Sequence, residues 1–256
     1  MALSRGEERL LRRLRERRFR AAERRFLADG AKVVAELLDS PLEIELLVTS
    51  SSGEDDLIPA QMASRGVPHR RVDQATLAEL APTDRPQGVL AVGRTPDPDP
   101  DEISWSEGVT LLLDGVQDPG NLGTLVRSAE AFSAPAVVAL RGTVDPWNAK
   151  SVRAAAGSLF RLPVVPMSWD ETASRLREHG AVLLGADMGG EPVGAAGGPA
   201  GLVVGNEGAG LSAEVRAGID RLVSVPTPGP VESLNVASAA AILLYALNAR
   251  PAGTPL

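Results

Sequence analysis

Cysteine is missing from all 256 residues, which excludes disulfides, thiolate zinc sites, iron–sulfur clusters and cysteine nucleophiles, and fits a reducing compartment. Histidine occurs at His69 and His179 alone, too sparse for a His-based metal site, so no metal is expected. Aromatic residues make up 3% of the chain, and lysine occurs twice against 24 arginines. Genomic base composition and a preference for bidentate phosphate contacts would both produce that bias. Long apolar runs are missing too: the longest, 236–247, is a dozen residues with a serine inside it, where a membrane span needs about 20. The amino terminus is an Arg/Glu run without the apolar core of an export signal. Together these absences predict a cytoplasmic protein with no membrane span.

What is present is an ordinary globular composition, 44% hydrophobic and 23% charged, enough for one large or two modest domains. The net charge of −7 conceals an asymmetry: residues 1–25 hold ten Arg against four Glu, so the body beyond them is strongly acidic. An arginine-rich arm on an acidic body reads either as an electrostatic foot for phosphate backbones or as a solvated helix kept soluble by mixed charge, and the run alone does not choose.

Residues 96–104, PDPDPDEIS, cannot build a helix interior or a central strand, because alternate residues lack an amide proton and like charges repel. They read as a linker between a domain at 1–95 and a second at 105–256. In the first, residues 8–38 carry helical periodicity broken near Gly30, and strands are expected at 42–49, 68–72 and 88–93, with helical stretches at 57–65 and 74–80. In the second, short apolar runs without strict alternation recur at 109–113, 136–140, 162–165, 181–186, 201–204 and 221–225. Strands apolar on both faces and separated by helices imply a parallel sheet covered on both sides. A helix rich in Ala and Leu is expected at 234–249. The glycine-rich stretch 185–210 has neither dinucleotide-fingerprint spacing nor the Gly-Lys-Ser/Thr of a P-loop.

Three motifs stand at strand ends. LDGVQDPGNLGTLVRSA (113–129) ends a strand at Asp114, turns at Asp118 to Gly120 and opens a helix near Asn121, with Arg127 further along it. In an open α/β sheet ligands bind outside the carboxyl ends of the strands, so both residues are candidates for phosphate or ribose; equally, Asn121 could cap the helix and Arg127 face solvent. VVGNEGAGLS (203–212) offers Gly205, Gly208 and Gly210 for positive φ and close backbone approach. Ser212 is a natural cap, and Glu207 is an acidic residue among glycines at a strand end. SVPTPGPVESLNVA (224–237) is a strand, a proline-stiffened loop that suits a preformed pocket, and a helix entered through Ser233 to Asn235. A capped, proline-rich surface loop would explain each residue of this third motif singly. It would not explain why all three strand ends carry Gly, Asn and acidic or hydroxyl groups.

Together the stretches resemble the SpoU/TrmH family of RNA 2′-O-ribose methyltransferases, of the SPOUT class. The family's Asp-Pro-x-Asn-x-Gly followed by Arg-x-Ala is matched by Asp118, Pro119, Asn121, Gly123, Arg127 and Ala129. Its Gly-x-Glu-Gly-x-Gly-Leu is matched from Gly205 to Leu211, and its Val-Pro-Met-x-Gly-x-x-Glu-Ser-Leu-Asn-Val from Val225 to Val236, with Thr227 where Met is usual. Order and spacing agree over roughly 150 residues. Weaker matches at 150–162, 25–34 and 86–92 extend it; the last two look like the L30e-like substrate-binding domain of many members, with Asp29 in place of the usual Glu.

The resemblance implies an α/β fold: a small L30e-like domain, then a parallel-sheet methyltransferase domain whose carboxyl-terminal segment forms a trefoil knot that holds S-adenosylmethionine. Homodimerisation through the knotted domains is the family habit, for which the apolar helix 236–247 is available. The substrate implied is RNA, ribosomal rather than transfer, given the extra domain. Gly185, Gly205, Asn206, Val225, Pro226 and Leu234 would hold the cofactor. Arg127 would be the catalytic arginine, with Asn121, Ser233 and Asn235 positioning it and the ribose, and Glu207 orienting it. A guanidinium with pKa above about 12 is a poor base, so gripping the target phosphate and orienting the 2′-hydroxyl is the preferred role. With RNA as substrate, Arg12, Arg13, Arg17, Arg18 and Arg20 of the arm become candidates for phosphate contacts. A catalytically silent RNA-binding or ribosome-assembly factor on the same fold is the competing reading.

Overall fold

A computed structural model describes residues 2–50, 65–83, 86–230 and 233–248. The chain forms two compact units, one of Met1–Asp97 with Asp145–Arg161, the other of Pro98–Val144 with Leu162–Leu256. The boundary falls inside the Pro/Asp tract. Part of that tract is not a free linker: Pro100–Glu102 form a 3-10 turn capped by Asp99, and Ile103 and Trp105 are buried in the core of the second unit.

The first unit opens with α1 (Arg5–Arg13), started by a capping box in which the Ser4 hydroxyl accepts from Glu7 N–H and the Glu7 carboxylate accepts from Ser4 N–H. After α2 (Arg17–Glu23), Arg24 adopts a left-handed conformation (φ 51°), which ends helical structure. The chain then enters β1 (Arg25–Asp29) rather than continuing the helical pattern expected across 8–38. The correction has a packing cause: Phe26, Leu27 and Ala28 are fully buried and β1 pairs antiparallel with β4 (Val89–Arg94), a long-range partnership invisible to local periodicity. With α3 (Ala31–Leu38), β2 (Ile44–Ser50), β3 (His69–Val72) and α4 (Gln74–Leu80) the unit is complete up to β4, and its sheet order is β1-β4-β2-β3. The helix expected at 57–65 falls almost entirely outside the described residues.

Residues Asp145–Arg161, placed by the sequence reading in the second domain, cluster with this unit. They hold α6 (Ala149–Ala155) and a 3-10 turn at Ser158–Phe160. The cause is aromatic and ionic. The Phe26 ring lies 4.7 Å from that of Trp147 and 5.6 Å from that of Phe160, and Arg20 pairs with Asp145 at 2.6 Å with both side chains largely buried.

The second unit contains β5 (Val109–Asp114), α5 (Pro119–Ala131), β6 (Val137–Ala139), β7 (Val164–Pro166), α7 (Trp169–Glu178), β8 (Val182–Pro192), β9 (Ala200–Gly205), α8 (Ala213–Gly218), β10 (Arg221–Ser224) and α9 (Val236–Leu247). All six expected strands are there, in one sheet of order β10-β8-β9-β5-β6-β7 with every pairing parallel. Every residue of β5 and β9 is buried, as a strand covered on both faces must be. Because the strands are parallel, the loops after β5, β9 and β10 leave the same edge of the sheet. No helix among the described residues is long and apolar enough to cross a membrane, and no group of three or more metal-ligating side chains occurs among them.

Candidate functional site

The carboxyl edge of the second sheet gathers the three motifs. Asp114, the last residue of β5, faces Gly205, the last of β9, in the parallel register. Each strand then turns away through a loop tied to the other. The Asp114 carboxylate accepts from Ser212 N–H at 2.6 Å, and Asn206 Nδ2 donates to the Gly115 carbonyl at 2.9 Å. Asn206 Oδ1 accepts from Gly208 N–H and Ala209 N–H, so both ends of the amide are engaged in shaping the loop. Of the three glycines expected to allow positive φ, Gly210 does (φ 70°), while Gly205 and Gly208 do not. Gly205 is required for a different reason: a Cβ there would lie 2.3 Å from the Gly210 carbonyl carbon, because the two backbones touch where Asn206 and Gly210 bridge. Gly185 is likewise packed, its missing Cβ space filled by Leu211, Leu222 and Ile219 side chains.

On the β5 side, Asp118 rather than Asn121 caps α5, its carboxylate accepting from Asn121 N–H at 2.8 Å, and Pro119 occupies the first helical turn, where its missing N–H costs nothing. The Asn121 side chain is thereby released from capping. Its Nδ2 donates to Glu207 Oε1 at 2.9 Å and its Oδ1 accepts from Asn235 Nδ2 at 3.0 Å. Asn235 in turn caps α9, its Oδ1 accepting from Ala237 N–H and Ser238 N–H. One hydrogen-bonded chain, Glu207–Asn121–Asn235, therefore joins the second motif to the first and the first to the third. The donor and acceptor ends of both amides are set by their partners, with the carboxylate able only to accept.

Glu207 is held below the ordinary carboxyl value of 4.5. Burial alone would raise it, and hydrogen bonds from Asn121 Nδ2 and from the backbone N–H groups of Glu207 itself, Gln117 and Asp118 outweigh that effect. The group is an anion at neutral pH.

Arg127 lies on the same helix, about one and two-thirds turns past Asn121, exposed and without a hydrogen-bond or ion-pair partner among the described residues. Ser233 is also exposed, Val225 and Leu234 are half-buried and Pro226 is exposed. The structure thus joins Asn121, Glu207 and Asn235 by direct bonds and leaves Arg127 and Ser233 unattached. Sequence reasoning passed over Asp114 and Asp118 as loop-fixing carboxylates; the Asp-Pro step at a helix start was the available signal for the latter.

The arginine arm is less free than its sequence suggests. Arg12 pairs with Glu8 and Glu79, Arg13 with Glu23, and Arg18 with Glu16, while the guanidiniums of Arg13 and Arg18 both lie over the Phe19 ring. Arg20 is a correction: it is 6% exposed, donates to Asp145 and to the Leu14 and Arg15 carbonyls, and cannot also hold a phosphate. Arg17 is exposed and has no ion pair among the described residues.

In open α/β sheets the carboxyl edge of the strands is where ligands bind, and in this sheet it carries the polar constellation. The chain belongs to the SpoU rRNA Methylase family, whose profile matches residues 108–245, and residues 9–91 match the MRM3-like substrate binding domain. It is 37% identical over 229 residues to a 23S rRNA (guanosine(2553)-2′-O)-methyltransferase of Bacillus subtilis (strain 168), covering 87% of this chain and 88% of that one. A 23S rRNA (guanosine-2′-O-)-methyltransferase of Xanthomonas campestris is 34% identical, covering 78% and 86%. Among solved structures, an AdoMet-bound rRNA methyltransferase from Sinorhizobium meliloti superposes with a TM-score of 0.82 at 28% identity, covering 96% of this chain and 95% of that one. The SpoU methyltransferase AviRb from Streptomyces viridochromogenes in complex with AdoMet gives 0.83 at 28%, covering 96% and 97%.

Proposed function

We propose that the chain transfers the methyl group of S-adenosylmethionine to a ribose 2′-hydroxyl of ribosomal RNA. The observation that carries this reading is the Glu207–Asn121–Asn235 chain, which holds the polar residues of all three motifs at one sheet edge, at the start of the helix that also carries Arg127, a side chain without a partner among the described residues. The residues present suit the cofactor: Val225, Pro226 and Leu234 keep apolar surface uncovered next to β10 and the start of α9, as an adenosyl group requires, and anionic Glu207 lies in the loop after β9 at the same sheet edge. Val225, Pro226 and Leu234 would hold it with Gly185, Gly205 and Asn206, whose contribution is to shape the loops. When bound, S-adenosylmethionine supplies an electrophilic methyl on a sulfonium.

The protein's task is then to bring a 2′-oxygen in line with that methyl and to manage its proton. Arg127 is free to grip the phosphate beside the target ribose and to orient the 2′-hydroxyl. Asn121 and Asn235, with amides locked by Glu207 and by the α9 cap, present fixed hydrogen-bonding edges to the ribose, and Ser233 adds a hydroxyl. The 2′-proton leaves to water. The first unit and its arginines bind the RNA. Pairing of two copies through α9 fits the exposed Ile242 and Tyr245 of that helix, and a ribosomal substrate implies work in the cytoplasm.

The test incubates the full chain with radiolabelled S-adenosylmethionine and 23S rRNA and analyses the digested nucleosides. Label on a ribose 2′-oxygen is the expected result. Label on a base would overturn the reading, as would cofactor binding without transfer to any RNA.

A further inference from the structure

Not every arginine near the amino terminus is spent on a carboxylate, and one lines a cavity. A pocket of about 260 Å³ in the first unit is walled by Leu14 and Leu27 and bordered by Arg15, Arg20, Trp147 and Asn148. Its volume is below the roughly 300 Å³ at which ordinary small-molecule sites begin. It has room for one phosphate and its sugar, not for a free cofactor.

The side-chain chemistry of the border is one-sided. Arg20 is consumed inside the wall, its Nε and Nη2 on Asp145 and its Nη1 on two carbonyls. Asp145 is neutralised by that pair and accepts from Trp147 N–H as well. Asn148 Oδ1 accepts from Lys150 N–H at 2.9 Å, which orients the amide and leaves Nδ2 as a donor. The Trp147 indole N–H can only donate and has no partner among the described residues, while the ring is held against Phe26 at 4.7 Å and stays half-exposed. Arg15 is exposed, and its single described bond is a long one, Nη1 to the Glu79 carbonyl at 3.4 Å. Every free polar group that these side chains offer is therefore a donor. Phosphate oxygens present acceptors alone in every nucleotide, whereas among base edges only a few, such as the N7/O6 edge of guanine, do so.

We propose that Arg15, Trp147 and Asn148 form a phosphate cradle that grips the backbone of the RNA substrate in the first unit. The contact is to sugar and phosphate, so it positions the RNA without reading its sequence. It rests on the RNA substrate proposed above and adds a site that the arginine-rich run did not disclose, since Arg15 was not among the arm residues expected to bind.

The test uses the full chain and an in vitro transcribed 23S rRNA. Asn148→Asp keeps an acceptor for Lys150 N–H and so keeps the start of α6, but sets a negative charge against the phosphate; RNA affinity should fall by about tenfold. Arg15→Gln should flatten the slope of log affinity against log salt by about 0.7 to 0.9, the value of one phosphate contact. Affinity for S-adenosylmethionine should be unchanged in both. Trp105 and Trp169 are buried and Trp147 is half-exposed, so acrylamide quenching reports chiefly on Trp147. Saturating RNA should protect the emission, and Trp147→Phe should abolish that protection. Wild-type affinity and slope in both Asn148→Asp and Arg15→Gln, or protection that persists in Trp147→Phe, would overturn the cradle. Failure of the wild-type chain to methylate RNA would overturn the activity instead, and is scored separately.

Discussion

Ten arginines crowd residues 1–25, whereas Arg127 is the one arginine that the motifs bring to the carboxyl edge of the parallel sheet. The crowd is the more conspicuous in sequence and the less available in structure. Arg12, Arg13, Arg18, Arg20, Arg24 and Arg25 each sit against a carboxylate, and Arg20 is buried. Arg127 has no partner among the described residues, while Asn121 of the same motif is bonded to Glu207 and Asn235 of the other two. Composition counts charges, but what an RNA meets is the charge left after the fold has paired the rest. A side chain kept free on an element anchored by a rigid polar network is the better sign of function.

The sharpest way to break this contrast is to treat Arg20 as an RNA ligand. Arg20→Ala leaves Asp145 largely buried without its cation, a loss worth about 3–5 kcal/mol of stability, which is a large fraction of a typical total of roughly 5–15 kcal/mol. Thermal or denaturant unfolding should show a strong destabilisation. A variant of wild-type stability that has lost RNA affinity would mean Arg20 is a binding residue after all.

Arg127→Ala should lower methyl transfer by on the order of 10² to 10³-fold, the usual cost of removing one preorganised donor at a reacting centre. Unfolding and cofactor affinity, by calorimetry, should stay near wild type. Arg127→Lys should recover little, because a point charge does not reproduce a bidentate grip. Parallel loss of cofactor affinity in Arg127→Ala would make the residue a part of the cofactor site.

The smallest effect concerns Glu207. Its folded value lies below the ordinary 4.5, so its contribution to stability is fully present above that ordinary value and disappears as pH falls through the lowered one. Titration of Glu207 should therefore leave activity and stability level from neutrality down to about pH 5. An acid-side loss should appear below that and shrink in Glu207→Gln. A loss near neutrality that Glu207→Gln removes would show that the network does not hold the carboxylate in its charged form.

Much of the fold was legible before any coordinates. Six apolar runs without alternation marked a parallel sheet because central parallel strands are covered on both faces, and all six are strands. The three motifs were legible because each is contiguous, with spacing that survives as a strand end, a turn and a helix start. Strand β1 was not: Arg25–Asp29 follows two helices, and its strand state comes from pairing with Val89–Arg94 and from the burial of Phe26. Nor was the affiliation of Asp145–Arg161 with the first unit, which depends on Trp147 and Phe160 meeting Phe26 across more than a hundred residues of chain.

The amino-acid order alone settled the type of sheet and the family and named the residues proposed for the site, since these rest on local pattern and spacing. Which polar groups are joined and which stay free was left to the folded chain. Asn121 was open to reading as a cap, yet Asp118 takes that place and releases its amide to bridge Glu207 and Asn235. Arg20 read as surface charge, yet it is buried against a carboxylate 125 positions away in sequence. Hydrogen bonds and ion pairs form between whatever groups the backbone brings within about 3 Å of each other, and at such sequence separations only the packing of the chain decides who the partners are.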